Sequence, residues 1–247
     1  LLQNADDPRR AQYLSRFADR EGKVFMNRFY PKYRGKTWEE AQAILLQNIR
    51  PTPQRLAAIH RSIYPDASIA QFDAFVRANL PEQYDVSVEK WAQFYVQFSP
   101  GQMSLADRGY LAHIHPLELW MVGYLRTHPK ATQAQMLADS AKERQEVYAW
   151  LFQTHRKHAQ DKRILGLLEV EGFLEIHRQW KKMGYPFDSL VPSYASALGA
   201  SADRPAALAE MMGILVNHGV RKPIQRIQDL HFAVQTPYET RLRRKEV

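Results

Sequence analysis

Ser87 and Lys90, in Ser87-Val88-Glu89-Lys90, stand three residues apart at a predicted helix start, which puts a hydroxyl and an ammonium on one face. A lysine made more basic-competent by a lowered pKa can take the serine proton, and the oxygen can then attack an acyl carbon. The same residues equally describe a helix-cap serine followed by a surface lysine. Ser140 with Glu143 has the spacing of a capping box. Glu169, Glu171 and Glu175 crowd one predicted helix, with Glu171 and Glu175 sharing a face. Paired carboxylates do acid–base work if burial raises one of them, and otherwise pair with neighbours such as Arg163, Arg178 and Lys181.

His113-Ile114-His115 with Glu118 is the nearest approach to a metal set. Residues two apart on a helix diverge, so the two imidazoles converge only if Pro116 breaks the helix between them. Read without a metal, they are capping and packing histidines, and no residue is assigned to a metal or a cofactor. His155-Arg156-Lys157-His158, followed by Lys162 and Arg163, forms a basic stripe behind Tyr148, Trp150 and Phe152. Such a stripe can track a phosphate backbone while aromatics stack, although Trp150 also fits the apolar period of a core. His177 reads as a surface residue.

The composition limits the chemistry further. The 247 residues contain no cysteine, which excludes disulfides, thiolate metal sites and cysteine nucleophiles. A hydrophobic content of 45% is enough to bury a core. The net charge of +8 favours an acidic partner such as nucleic acid or another acidic polymer. No apolar run is long enough to span a bilayer. The start Leu1-Leu-Gln-Asn, without Met, is what a piece of a longer protein would show.

The elements that must position these residues are almost all helices. Asp7 to about Arg34 reads as one or two basic helices with Leu14, Phe17, Val24, Phe25 and Phe29 on the apolar side. Thr37 with Glu40 and Thr132 with Gln135 are capping boxes, while Ser68, Ser87 and Ser104 are predicted caps. Pro53 and Pro116 fit first turns, and the near-continuous Leu117, Leu119, Trp120, Val122 and Leu125 predict a buried helix. From Ala141 to about Lys182 one long helix is expected, kinked at most near Gly166. Extended character is confined to Ile224–Ile227 and His231–Val234, and Arg241–Glu246 reads as a charged, frayed end. The expected fold is mainly α: a multi-helix, orthogonal or bundle-like domain with a short extended C-terminal tail. A soft boundary at Pro81–Asp85 would divide an N-terminal helical group (1–84) from a larger one (85–247), the alternative being one domain throughout.

Gly184–Pro223 is the best punctuated stretch. A turn led by Pro192 and small residues to Gly199 precede a helix opened by Asp203 and Pro205 and stopped by Asn217-His218-Gly219. Leu208, Met211, Met212, Leu215 and Val216 recur at three and four, which predicts one buried face. Pro192-Ser-Tyr-Ala-Ser-Ala-Leu-Gly199, Arg204-Pro205, Leu208-Ala209 and Asn217-His-Gly219-Val220-Arg221 with Pro223 resemble a segment of penicillin-binding-protein transpeptidase domains. There a Pro-Ser-Leu-Ala-Leu-Gly-like turn precedes a Thr-Pro-led helix ending in Asn-Gly-Gly-Val. More loosely, Ser104–Trp120 and Ser140–Asp161 are similar to parts of envelope proteins that join a family 51 glycosyltransferase to such a region.

The resemblance implies the periplasmic side of the inner membrane, a membrane-anchored parent, and peptidoglycan or its precursors as partner. It also implies an acyl-serine mechanism carried by Ser-x-x-Lys, Ser-x-Asn and Lys-Thr-Gly motifs. Ser87 and Lys90 stand where the first is expected, and Ser140 where the second is, with Lys142 in place of the asparagine. Gly35-Lys36-Thr37 has the wrong order and position for the third. The expectation is therefore a helical part, catalytically incomplete by itself, of a peptidoglycan glycosyltransferase or transpeptidase. The competing expectation is a basic helical module that binds nucleic acid or another acidic polymer.

Overall fold

The computed structural model describes residues 1–82, 84, 86–185, 187–200, 204–222, 227 and 229–243. The protein is mainly α and divides into two compact units, Leu1–Leu165 and Gly166–Val247. The predicted boundary at 81–85, of which 83 and 85 lie outside the described residues, is not where the units part. Helices on either side of it share one core.

In the first unit, α1 (Arg9–Tyr33) buries Arg10, Leu14, Ala18, Gly22, Met26 and Tyr30, a row at steps of four along one edge. Val24 lies off that row and is exposed. Two helices follow: α2 (Trp38–Leu46), opened by the Thr37–Glu40 capping box, and α3 (Pro53–Ile63), opened by Thr52 with Pro53 in the first turn. α3 is buried on nearly all sides, from Leu56 to Arg61 and again at Ile63. It packs on α4 (Ile69–Asn79), α5 (Val88–Gln97), α6 (Leu105–Ala112) and α7 (Pro116–Thr127), so elements before and after residue 85 enclose it together. Ser68, Ser87 and Ser104 cap α4, α5 and α6 as their sequence contexts predict, and Ser68 with Gln71 completes a further capping box.

α6 ends on His113 in the left-handed region (φ 58°), and Pro116 starts α7 three residues later. The tight corner requires Gly109: a Cβ there would stand 2.5 Å from Pro116 Cγ and 2.9 Å from the Ile114 carbonyl. α8 (Gln133–Asp139) opens with the predicted Thr132–Gln135 capping box.

The stretch expected to be one helix from 141 to 182 is instead α9 (Ala141–Val147), two 3-10 turns at Ala149–Phe152 and Thr154–Arg156, and α10 (Lys157–Lys182). The Ser140–Glu143 capping box does not form, because Ser140 is buried with near-helical backbone (φ −86°, ψ 8°) and its hydroxyl donates to the Leu137 carbonyl. The break turns Leu151 into the core and leaves Trp150 half exposed, which corrects its placement as core.

The second unit holds the rest of α10, a 3-10 turn at Tyr194–Leu198, α11 (Pro205–Val216) and a two-stranded antiparallel sheet, β1 (Asp229–Phe232) with β2 (Thr240–Arg243). β2 overlaps the stretch expected to fray, because Leu242 pairs with Leu230 and Arg241 donates to Asp229 across the ladder. The predicted cap Asp203, Pro223, the strand residues 224–226 and residues 244–246 lie outside the described residues. The predicted buried face of α11 is exposed: Leu208, Met211, Met212, Leu215 and Val216 all face out, and Ile214 is the buried residue of this helix. In both units together, no helix among the described residues is long and apolar enough to cross a membrane.

Candidate functional site

The serine–lysine pairs carry the sharpest chemical expectation. Ser87 caps α5: its Oγ accepts from the Lys90 amide at 3.3 Å. The Glu89 carboxyl lies below its usual range because its own backbone amide and the Ser87 hydroxyl both donate to it. Lys90 Nζ donates to Gln93 Oε1 at 2.9 Å and sits over the Phe94 ring. The hydroxyl and the ammonium are thus directed to different partners.

Ser140 is fully buried, and Arg144 Nη1 donates to its oxygen. Lys142 is exposed two residues on. Arg144 fixes this corner. Its Nε and Nη2 both donate to Asp19 Oδ1, at 2.9 and 2.7 Å, and Nη1 also reaches the Leu137 carbonyl. Burial pushes the Asp19 carboxyl up, but hydrogen bonds from Lys23 and Arg144 outweigh it and hold the group below the usual carboxylate range. The arginine stem lies where a side chain on Gly22 would be, within 2.7 Å of a Cβ built there.

The histidine set does not converge. Arg55 Nη2 meets His113 Nε2 at 3.1 Å. His115 stacks on Phe25 with centroids 3.8 Å apart, accepts from the Leu117 amide through Nδ1, and is held below its usual pKa by burial. Glu118 accepts from the Tyr33 hydroxyl and from Lys32 Nζ. Burial and this bond drive the Tyr33 phenol far above its usual range. Among the described residues no group of three or more His, Asp or Glu side chains could hold a metal ion.

The glutamates also separate. Glu175 is clamped by Arg178 and Gln179, which hold its carboxyl below the usual range, and Glu169 accepts from the Tyr194 amide at 2.8 Å. In the basic stripe, Arg156 lies over Trp150, Lys157 pairs with Asp161 at 2.6 Å, and Arg163 lies over Phe17. His155 and His158 are exposed.

An apolar cleft lies inside the second unit. Gly184 (φ 99°) ends α10 in the left-handed region, and the chain turns so that Tyr185 meets Trp180 and His177. A cleft of about 120 Å³ opens there, lined by Trp180, Met183, Gly184, Tyr185, Ala207, Leu208 and Met211. The size suits one apolar group of roughly benzene dimensions. Its lining supplies neither an acid–base pair nor a nucleophile.

Sequence reasoning missed His60, Arg10 and Arg144, each buried among apolar neighbours. A signal existed for Arg10, which continues the four-residue row of Leu14, Ala18 and Gly22 and so needs a buried acceptor. It finds Gln160 at 2.9 Å and Asp161 at 2.7 Å. Comparison with protein-family models, with curated proteins and with solved structures finds no match to this chain.

Proposed function

We propose that this chain is a helical subdomain of a penicillin-binding-protein-like peptidoglycan synthesis protein, serving as scaffold or as one wall of a substrate groove on the periplasmic side of the inner membrane. The observation that carries the reading is the punctuation of 192–219. The small-residue turn ends at Gly199 (φ 89°), Pro205 opens α11, and Asn217-His218-Gly219 closes it with Gly219 at φ 87°. Those are the steric demands that a Pro-Ser-Leu-Ala-Leu-Gly-like turn and an Asn-Gly-Gly-like helix stop are built to meet.

The reading also accounts for the apolar surface of α11, since a groove wall needs a face that other chain covers. It assigns no acyl transfer to the chain itself. Ser87 and Ser140 use their oxygens for a helix cap and a buried arginine.

Two measurements test it. The chain should sediment with isolated peptidoglycan at moderate salt yet form no covalent adduct with a labelled β-lactam. Failure to associate with peptidoglycan at any salt sinks the assignment, and a stoichiometric adduct on Ser87 or Ser140 sinks its non-catalytic part. Retardation of duplex DNA that disappears steeply with added salt would favour the basic-module reading instead.

A further inference from the structure

α3 is the most enclosed helix of the first unit, and His60 lies at its centre with 3% of its surface exposed. Three aromatic rings surround the imidazole: Tyr64 at 5.1 Å, Phe72 at 5.3 Å and Phe75 at 5.0 Å between centroids. Phe72 and Phe75 belong to α4, so the ring sits in the α3–α4 seam. Its Nδ1 is buried and has no hydrogen-bond partner. A neutral imidazole tolerates such a site as a flat, mostly apolar plate, whereas an imidazolium there has a donor with nowhere to go.

The charges around it make protonation worse. On α3, Arg61 is itself buried, with Nη1 held by the Tyr64 carbonyl and its guanidinium over the Tyr95 ring. From α7, Arg126 bonds the Ile63 carbonyl and lies over Tyr64. The titratable side chains of the other neighbours are engaged elsewhere. Asp73 and Arg77 of α4 pair with each other at the surface, Lys90 of α5 bonds Gln93, and Arg108 of α6 donates to Ser62 and the Met103 carbonyl. Glu39 of α2 acts on Tyr64. The two charges that act on His60 are both positive, Arg61 and Arg126.

We propose that His60 is a proton-operated latch on the α3–α4 seam. The neutral ring holds α4 against α3, and protonation, adding a third cation to Arg61 and Arg126, releases α4 while the rest of the unit stays folded. Burial first, and then the two arginines, depress the group from 6.5 to about 4. A group with those values folded and released favours release about 30-fold more at pH 5 than at pH 7.5.

Hydrogen exchange read by mass spectrometry on the whole chain, corrected for the intrinsic pH dependence, tests this. Amides of α4 should lose about 30-fold in protection between pH 7.5 and 5. At pH 5 they should also exchange at least about 10-fold faster than those of α1, which open only when the whole unit unfolds, and His60→Phe, which keeps a ring in the cage, should hold α4 closed at both pH values. Equal protection of α1 and α4 at pH 5, no loss in α4, or the same loss in His60→Phe would each overturn the latch. Should His60→Phe fail to fold, an NMR titration of the unmodified chain decides. The imidazole of the folded form should stay neutral down to pH 5, and a folded-state midpoint near 6.5 overturns the proposal.

Discussion

A guanidinium buried between two helices must spend its donors, and Arg144 does so on Asp19, the Leu137 carbonyl and Ser140 Oγ. Arg144→Ala strands those acceptors and empties the space above Gly22. We expect a loss of about 3 kcal/mol in a urea denaturation series, against less than about 0.5 kcal/mol for Lys142→Ala at the surface two residues away. The acid response has two windows with one sign. His60 is depressed when folded, so the unfolded chain binds more protons; its contribution is complete above about pH 6.5 and is lost as pH falls towards 4. Asp19 is also depressed, and its contribution persists down to about pH 4 and fades below it. A plot of urea midpoint against pH should therefore descend in both windows, and His60→Phe should flatten the first alone. The serine–lysine spacings were legible in the sequence. What each hydroxyl bonds was not, because that depends on residues as distant as Asp19.

Among the elements, local chemistry decides the starts and packing decides the rest. Thr132 caps α8 through its side chain and receives Gln135 in return, so Thr132→Ala should cost about 1 kcal/mol. Ser140 and Glu143 have the same spacing without the bonds, so Glu143→Ala should cost nothing measurable by the same assay. The difference is backbone conformation at the cap: extended at Thr132, near-helical at Ser140. Gly109 marks a tertiary constraint on a local residue. Gly109→Ala drives a methyl into Pro116 and the Ile114 carbonyl and should lower stability by more than about 2 kcal/mol, although alanine is the better helix former. Proline at 53, 116 and 205 announced three helix starts, since each sits where no amide donor is required. The break at 148–156 carried no such mark, and it follows from burying Leu151.

The two units differ in how much apolar surface they cover. The first has a continuous core from Met26 to Val147. In the second, among the described residues, Leu167, Leu190 and Ile214 are the buried hydrophobics, while Leu215 is 65% and Val216 74% exposed. One face of the hairpin, Leu230, Phe232 and Leu242, is also open. Exposed apolar area on that scale binds dyes that report it. We expect the native chain to enhance anilinonaphthalene sulfonate fluorescence at neutral pH. Leu215→Ser with Val216→Ser should reduce the signal at least 2-fold with less than about 0.5 kcal/mol change in stability, whereas Ile214→Ala next to them should cost about 2 kcal/mol. Limited proteolysis should cut within 166–247 first and leave a product close to 1–165, because few of the second unit's described side chains are buried.

By itself the sequence determined that the protein is mainly α, where most helices begin, and that no cysteine chemistry operates. These follow from capping residues, proline positions and composition, all of which act within a turn or two of the chain. Only the tertiary structure decided that Ser140 is a packing residue under Arg144, that His60 lies caged between α3 and α4, that the units part at 165–166, and that α11 shows its apolar face to solvent. An apolar period says that a helix has a face to bury, but not whether the chain supplies something to bury it against.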